Sequence, residues 1–256
     1  MPSTFLWYEL MTPDVAAARA FYGAVAGWTM SDGGQPGKPY TIVSAGTRGV
    51  GGIADAAMAD CAAETASRWL GYVGVDDTDA TARRIVDAGG RVLRAPDDIP
   101  EVGRFAVVSD PGGAVFMLLT PLPRHDMPSP AEPGTPGTIG WHELYAGNGQ
   151  EAAFAFYSQL FGWETLDSMD MGPMGQYRIF GLNGVQMGGM MDKPADMPAS
   201  AWTFYVNVEG IDAAIERLTT HGGTVQMGPQ EVPGGSWIVQ ATDPQGVPFA
   251  LVAPRR

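Results

Sequence analysis

Short apolar runs broken by turn residues alternate along this chain with stretches of helical spacing, and the alternation has a fixed order. Residues 5–11 form an aromatic, strand-like run; Pro13 stands where a helix can begin, and Val15, Ala18, Phe21, Tyr22 and Val25 follow at helical spacing. Apolar runs at 40–45 and 50–54, separated by glycine-containing turns, read as antiparallel strands. Residues 69–75 are again strand-like, Asp77 or Thr78 can cap a helix running through Ala88, and Gly89-Gly90 ends it. Strands at 105–109 and 114–120 follow, joined by the turn Asp110-Pro111-Gly112-Gly113. A strand, a helix and about three strands therefore occur twice within the first half.

The second half repeats the first. Trp7-Tyr8-Glu9-Leu10 returns as Trp141-His142-Glu143-Leu144, Phe21-Tyr22 as Phe156-Tyr157, and Gly27-Trp28 as Gly162-Trp163. Farther on, Trp69 and Tyr72 match Trp202 and Tyr205, Gly89-Gly90 matches Gly222-Gly223, and Asp110-Pro111 matches Asp243-Pro244. Between the copies, residues 123–134 are rich in proline and polar side chains and read as a semi-rigid linker. The expected organisation is a first α+β domain over 1–123, a linker over 124–137 and a second domain over 138–256, with four βαβββ modules in all.

Charge and cysteine content narrow the partners. Fifteen Lys and Arg against 28 Asp and Glu leave a net charge of -13, which repels nucleic acid and anionic membrane surfaces. No apolar run reaches the roughly 18 residues of a spanning helix, and the first residues show no secretory signal pattern, so a cytoplasmic location is expected. Cys61 is the single cysteine, which rules out an internal disulfide and a thiolate metal cluster.

The order of these pieces over nearly the whole chain resembles the vicinal oxygen chelate superfamily of glyoxalases, bleomycin-resistance proteins and extradiol dioxygenases. They are the opening strand closing near Asp14, the helix with Phe21-Tyr22, the Gly27-Trp28 exit, Gly89-Gly90-Arg91-Val92 and Asp110-Pro111-Gly112-Gly113. The resemblance implies paired βαβββ modules whose mixed sheets curl into cup-shaped pockets. It also implies up to four His, Glu or Gln metal ligands, drawn from the first and last strands of each module. At those positions this chain carries Trp7 and Trp141, the glycine stretches 51–53 and 188–190, Leu70 and Thr203, and Met117 and Ala250. A divalent ion requires imidazole or carboxylate donors, so no metal and no other cofactor is expected. A one-residue shift brings in Tyr8, Trp69, Phe116, Trp202, Phe249 or an isolated His142 and does not restore the set.

Three histidines occur. His125 lies in the linker and His221 stands at a helix end, where its charge suits the carbonyl terminus. His142, on the first strand of the second copy, alternates to the face opposite Trp141 and Glu143 and reads either as a packed core residue or as a general base. Glu9 and Glu143 share a face with Trp7 and Trp141 and read either as hydrogen-bonded braces or as catalytic or ligand groups. Glu9, Glu143 and His142 are thus the candidate catalytic residues. Trp7, Trp69, Tyr72, Trp141, Trp202, Tyr205 and Trp237 are the candidate ligand-binding set, each of which also suits an ordinary core. Met169, Met171, Met174, Met187, Met190 and Met191 suit an adaptable apolar wall or an irregular core, and Gly51-Gly52 and Gly188-Gly189 read as bulges or turns.

Three functional classes follow. A metal-free protein that binds an apolar or aromatic small molecule needs only the fold and the aromatics. A glyoxalase-, lyase- or hydroxylase-like enzyme needs the Glu and His groups for acid–base work. An association scaffold with vestigial pockets needs neither. A monomeric pseudo-dimer or a homodimer is expected throughout.

Overall fold

The computed structural model describes residues 3–34, 39–57, 67–123 and 131–256. Cys61, His125 and linker residues 124–130 lie outside the described residues. Each sequence repeat contributes two βαβββ modules. The first module comprises β1 (Phe5–Thr12), α1 (Val15–Ala26), β2 (Thr29–Asp32), β3 (Tyr40–Ala45) and β4 (Arg48–Asp55), and the second β5 (Arg68–Gly74), α2 (Thr78–Asp87), β6 (Arg91–Ile99), β7 (Gly103–Ser109) and β8 (Val115–Pro121). The third comprises β9 (Ile139–Ala146), α3 (Gln150–Phe161), β10 (Glu164–Asp170), β11 (Gln176–Leu182) and β12 (Val185–Asp192). The fourth comprises β13 (Ala201–Asn207), α4 (Ile211–Thr220), β14 (Thr224–Glu231), β15 (Trp237–Thr242) and β16 (Pro248–Ala253).

The local chemistry sets the boundaries. Asp14, not Pro13, starts the first helix: its carboxylate caps α1 by accepting from Ala17 N at 2.9 Å, and Pro13 precedes it. Asp77 caps α2 in the same way through Ala80 N. Gly27 and Gly162 close α1 and α3 in the left-handed conformation, at φ of 70° and 72°, which favours glycine. At the end of α4, His221 Nδ1 lies 2.8 Å from the Arg217 carbonyl oxygen. Among the described residues no helix is long and apolar enough to cross a membrane.

Compactness partitions the chain differently from the sequence repeat. Of the described residues, one unit gathers those within 1–6, 70–125 and 142–202, essentially the second and third modules; the other gathers those within 7–69, 126–141 and 203–256, essentially the first and fourth. We call them the middle and the flanking unit after their modules' places in the sequence. In the flanking unit the strands run β2-β3-β4-β1 and β13-β16-β15-β14; in the middle unit they run β5-β8-β7-β6 and β10-β11-β12-β9. First strands pair in parallel with last strands, as in Glu9 against Gly52 and Glu143 against Gly189, while the remaining neighbours are antiparallel, so the sheets are mixed.

The recurring sequence pairs meet inside these units. In the flanking unit Trp69 Nε1 donates to Tyr22 Oη at 3.0 Å, and Tyr22 Oη donates to Asp243 Oδ2 at 3.2 Å. In the middle unit Trp202 Nε1 donates to Tyr157 Oη at 3.0 Å, and Tyr157 Oη donates to Asp110 Oδ2 at 3.1 Å. Each aspartate also accepts backbone N–H groups of its own turn, Val247 N for Asp243 and Ala114 N for Asp110. The helix of one repeat is thereby tied to the Asp-Pro turn of the other. Trp163 stacks on Tyr157 with ring centroids 5.2 Å apart and donates to the Ser3 carbonyl, while Trp28 stacks on Tyr22 and donates to the Gly137 carbonyl. Four tryptophans thus sit within the core with their N–H groups satisfied, as burial requires.

Candidate functional site

The first strands carry the candidate chemistry. On β1, strand alternation places Trp7 and Glu9 on one face, and both meet Tyr40 from β3. Trp7 Nε1 donates to Tyr40 Oη at 2.9 Å, and Tyr40 Oη donates to Glu9 Oε2 at 2.9 Å. Glu9 is buried at 9% exposure, whereas Trp7 and Tyr40 are each half-buried. Burial, followed by the charge of Glu9, pushes the Tyr40 phenol well above its ordinary pKa. In the middle unit Tyr177 of β11 donates to Glu143 Oε2 at 3.1 Å, with Glu143 at 6% and Tyr177 at 9% exposure.

The glycines opposite these carboxylates are not bulges or turns. Gly51 and Gly52 lie within β4, and Gly188 and Gly189 within β12, each paired in register with the first strand. A Cβ on Gly52 would stand 2.0 Å from Tyr40 Oη, and one on Gly189 would stand 2.0 Å from the Tyr177 ring carbon that bears the hydroxyl. The strand that carries a metal ligand in the resembling enzymes here carries a vacancy the width of a tyrosine. Tyr40 and Tyr177 were not among the residues singled out from sequence. The signal was present, since each stands twelve residues before its glycine, 52 − 40 and 189 − 177.

His142 is buried in the middle unit. Its ring stacks on Phe5 at 4.4 Å with a 9° interplanar angle, and its Nδ1 lies 2.6 Å from the Met187 carbonyl oxygen, which fixes Nδ1 as the protonated nitrogen of a neutral ring. Burial lowers its pKa to about 4, so the ring is neutral at physiological pH. Of the seven aromatics singled out, Trp69 and Trp202 are buried in the hydrogen-bonded relays described above. Tyr72 and Tyr205 are also buried, with Tyr205 Oη accepting from Gln240 Nε2 at 2.7 Å. Trp7, Trp141 and Trp237 are half-buried, and the Arg256 guanidinium lies 5.1 Å from the Trp237 ring centre. The methionines divide: Met190 and Met191 are buried, whereas Met174 is exposed.

The donor set does not fit a resident divalent ion. Indole N–H groups donate and have no lone pair to give, the two glycines offer no side chain, and Leu70, Met117 and Ala250 are buried apolar groups. Among the described residues no group of three or more His, Cys, Asp or Glu side chains gathers as a metal site would require. A separate open depression of about 380 Å³ lies along α2 and β6, lined by Ala82, Arg83, Val86, Val92 and Pro96, and includes none of these site residues.

Residues 4–118 and 139–251 each match the model of the family described as Glyoxalase/Bleomycin resistance protein/Dioxygenase superfamily. CFP32 of Mycobacterium bovis, whose name assigns it only provisionally to the glyoxylases, is 31% identical over 97% of this chain and 94% of its own length. The anthracycline biosynthesis protein DnrV of Streptomyces peucetius is 31% identical over 98% of this chain and 93% of its own. Among solved structures, the Mn(II)-bound glyoxalase of Novosphingobium aromaticivorans aligns with a TM-score of 0.64 at 16% identity, covering 99% of this chain and 82% of that one. The trihydroxybiphenyl dioxygenase of Sphingomonas wittichii aligns with a TM-score of 0.66 at 12% identity, covering 98% and 90%. At those identities the structural likeness speaks for the fold.

Proposed function

From the premise that this chain belongs to the Glyoxalase/Bleomycin resistance protein/Dioxygenase superfamily, we propose that it is a metal-free protein that binds an apolar, planar aromatic small molecule at the first-strand face of a repeat. The observation that carries this reading is the filling of the ligand-bearing strand. Where a metal enzyme places a carboxylate on that strand, this chain has Gly52 and lays Tyr40 into the space, hydrogen-bonded to Trp7 and Glu9. A half-buried indole backed by a phenol and a single carboxylate gives a flat apolar surface with one polar edge, which suits stacking against a planar ring. The resemblance to an anthracycline biosynthesis protein supports the same ligand class, since an anthracycline is built on planar fused rings. His142 is only a weak base under this reading, because its conjugate acid forms only near pH 4.

Two measurements test it. Protein purified from medium containing manganese and zinc should carry neither metal in stoichiometric amount, and calorimetric titration with either ion should give no saturable heat. Titration with planar aromatic compounds should quench tryptophan fluorescence saturably and return the compound unchanged. One tightly held metal per repeat, or no saturable binding by any planar aromatic compound, overturns the proposal; chemical conversion of the bound compound moves the protein to the enzymatic class.

A further inference from the structure

The cluster around Glu9 has a direction. The only donor of Trp7, its indole N–H, is spent on Tyr40, and the only donor of Tyr40, its hydroxyl, is spent on Glu9. Acceptor capacity is what these two half-buried side chains have left: a phenol oxygen has two lone pairs, and Trp7 occupies one. The buried carboxylate behind the phenol polarises the O–H bond toward itself and enriches the oxygen, so that successive hydrogen bonds strengthen one another. A ring stacked on Trp7 therefore meets an acceptor at the Tyr40 edge and no free donor from either side chain.

Resting on the small-molecule reading above, we propose that the Trp7–Tyr40–Glu9 cluster of the first repeat selects planar aromatic ligands that carry a hydroxyl donor, a phenol or a hydroxylated polycycle, over the same ring bearing acceptors alone. A pocket that offers a hydrogen bond to a substrate hydroxyl discriminates strongly against an analogue that cannot make it, because its own polar group is then left unpaired. The first repeat is the one assigned because Tyr40 is half-buried, whereas its counterpart Tyr177 is 9% exposed.

Naphthol and methoxynaphthalene separate the two possibilities, since they share a ring system and differ in the hydroxyl hydrogen. In calorimetric titrations of the full-length protein, naphthol should bind about tenfold more tightly, the ratio expected from one additional hydrogen bond. Tyr40→Phe should bring the two compounds to equal affinity, and Tyr177→Phe should preserve the preference. On the unaltered protein, bound naphthol should also show the red-shifted absorption of a phenol donating to a strong acceptor, a readout independent of whether Tyr40→Phe folds. Equal affinities, an unshifted spectrum, a preference that survives Tyr40→Phe, or one lost only in Tyr177→Phe overturns this selectivity and leaves the binding reading standing. Absence of saturable binding by both compounds overturns the two together.

Discussion

The middle and flanking units join a helix to a turn with the same three groups and then diverge on the first strand. Trp69–Tyr22–Asp243 in one and Trp202–Tyr157–Asp110 in the other differ by only about 0.1 Å at their tyrosine–aspartate contacts. Tyr8 in the first repeat, by contrast, corresponds to His142 in the second. Around the turn, Gln245 Oε1 accepts from Thr12 Oγ1 at 2.7 Å and from Asp14 N at 3.1 Å, whereas its counterpart Gly112 has no side chain, and a Cβ there would stand 2.7 Å from Asn148 Oδ1. The relay holds modules together and is retained in both copies; the face of the first strand that carries Tyr8 or His142, opposite the Trp and Glu face, is where the copies part.

The largest expected effect tests the shared half of that comparison. Trp69→Ala and Trp202→Ala each remove a buried indole and leave a tyrosine hydroxyl without its donor, and each should cost about 3–5 kcal/mol in denaturant unfolding. Near-equal losses are expected. If one substitution is well tolerated and the other is not, the two relays are alike in geometry only.

His142 provides the next largest effect and belongs to the half that differs. Its pKa is lowered from 6.5 in the unfolded reference to about 4 in the fold. Between those values the unfolded chain binds a proton that the folded chain refuses, so stability falls as pH drops from about 6.5 toward 4, by about 3 kcal/mol in all. Above that window the contribution is fully present. His142→Tyr installs the group that the first repeat carries, and the difference between its stability–pH curve and that of the unaltered chain isolates the histidine. Superimposable slopes would show that the ring titrates in the fold as it does in solution.

How far the sequence reached is clearest at particular residues. The strand at 40–45 and the cap at Asp77 follow from local chemistry and stand where the pattern puts them. Tyr22, Trp69 and Asp243 were visible as repeated residues, yet nothing local states that Tyr22 belongs with an aspartate 221 positions away. That contact depends on which modules pair, which is a property of the tertiary fold. The same limit explains the glycines: Gly52 reads as a turn residue in isolation, and only the neighbouring strand shows that its missing side chain makes room for Tyr40. Glu9 and Glu143 were legible because alternation alone puts them beside Trp7 and Trp141, and their tyrosine partners were not, because those arrive from a different strand.

The smallest effect separates the two clusters from each other. Gly52→Ala and Gly189→Ala both drive a methyl group into a tyrosine, at 2.0 Å in each case, and relief requires the ring to move. Overpacking of this kind costs about 1–3 kcal/mol, less where the ring has somewhere to go. Tyr40 is half-buried and can yield by giving up its hydrogen bonds to Trp7 and Glu9; Tyr177 is buried and must push its neighbours aside. Gly189→Ala should therefore destabilise more than Gly52→Ala in parallel denaturant melts, while Gly52→Ala should release Trp7 and change its fluorescence. The reverse order of stabilities would place the yielding tyrosine in the second repeat and move the candidate ligand face with it.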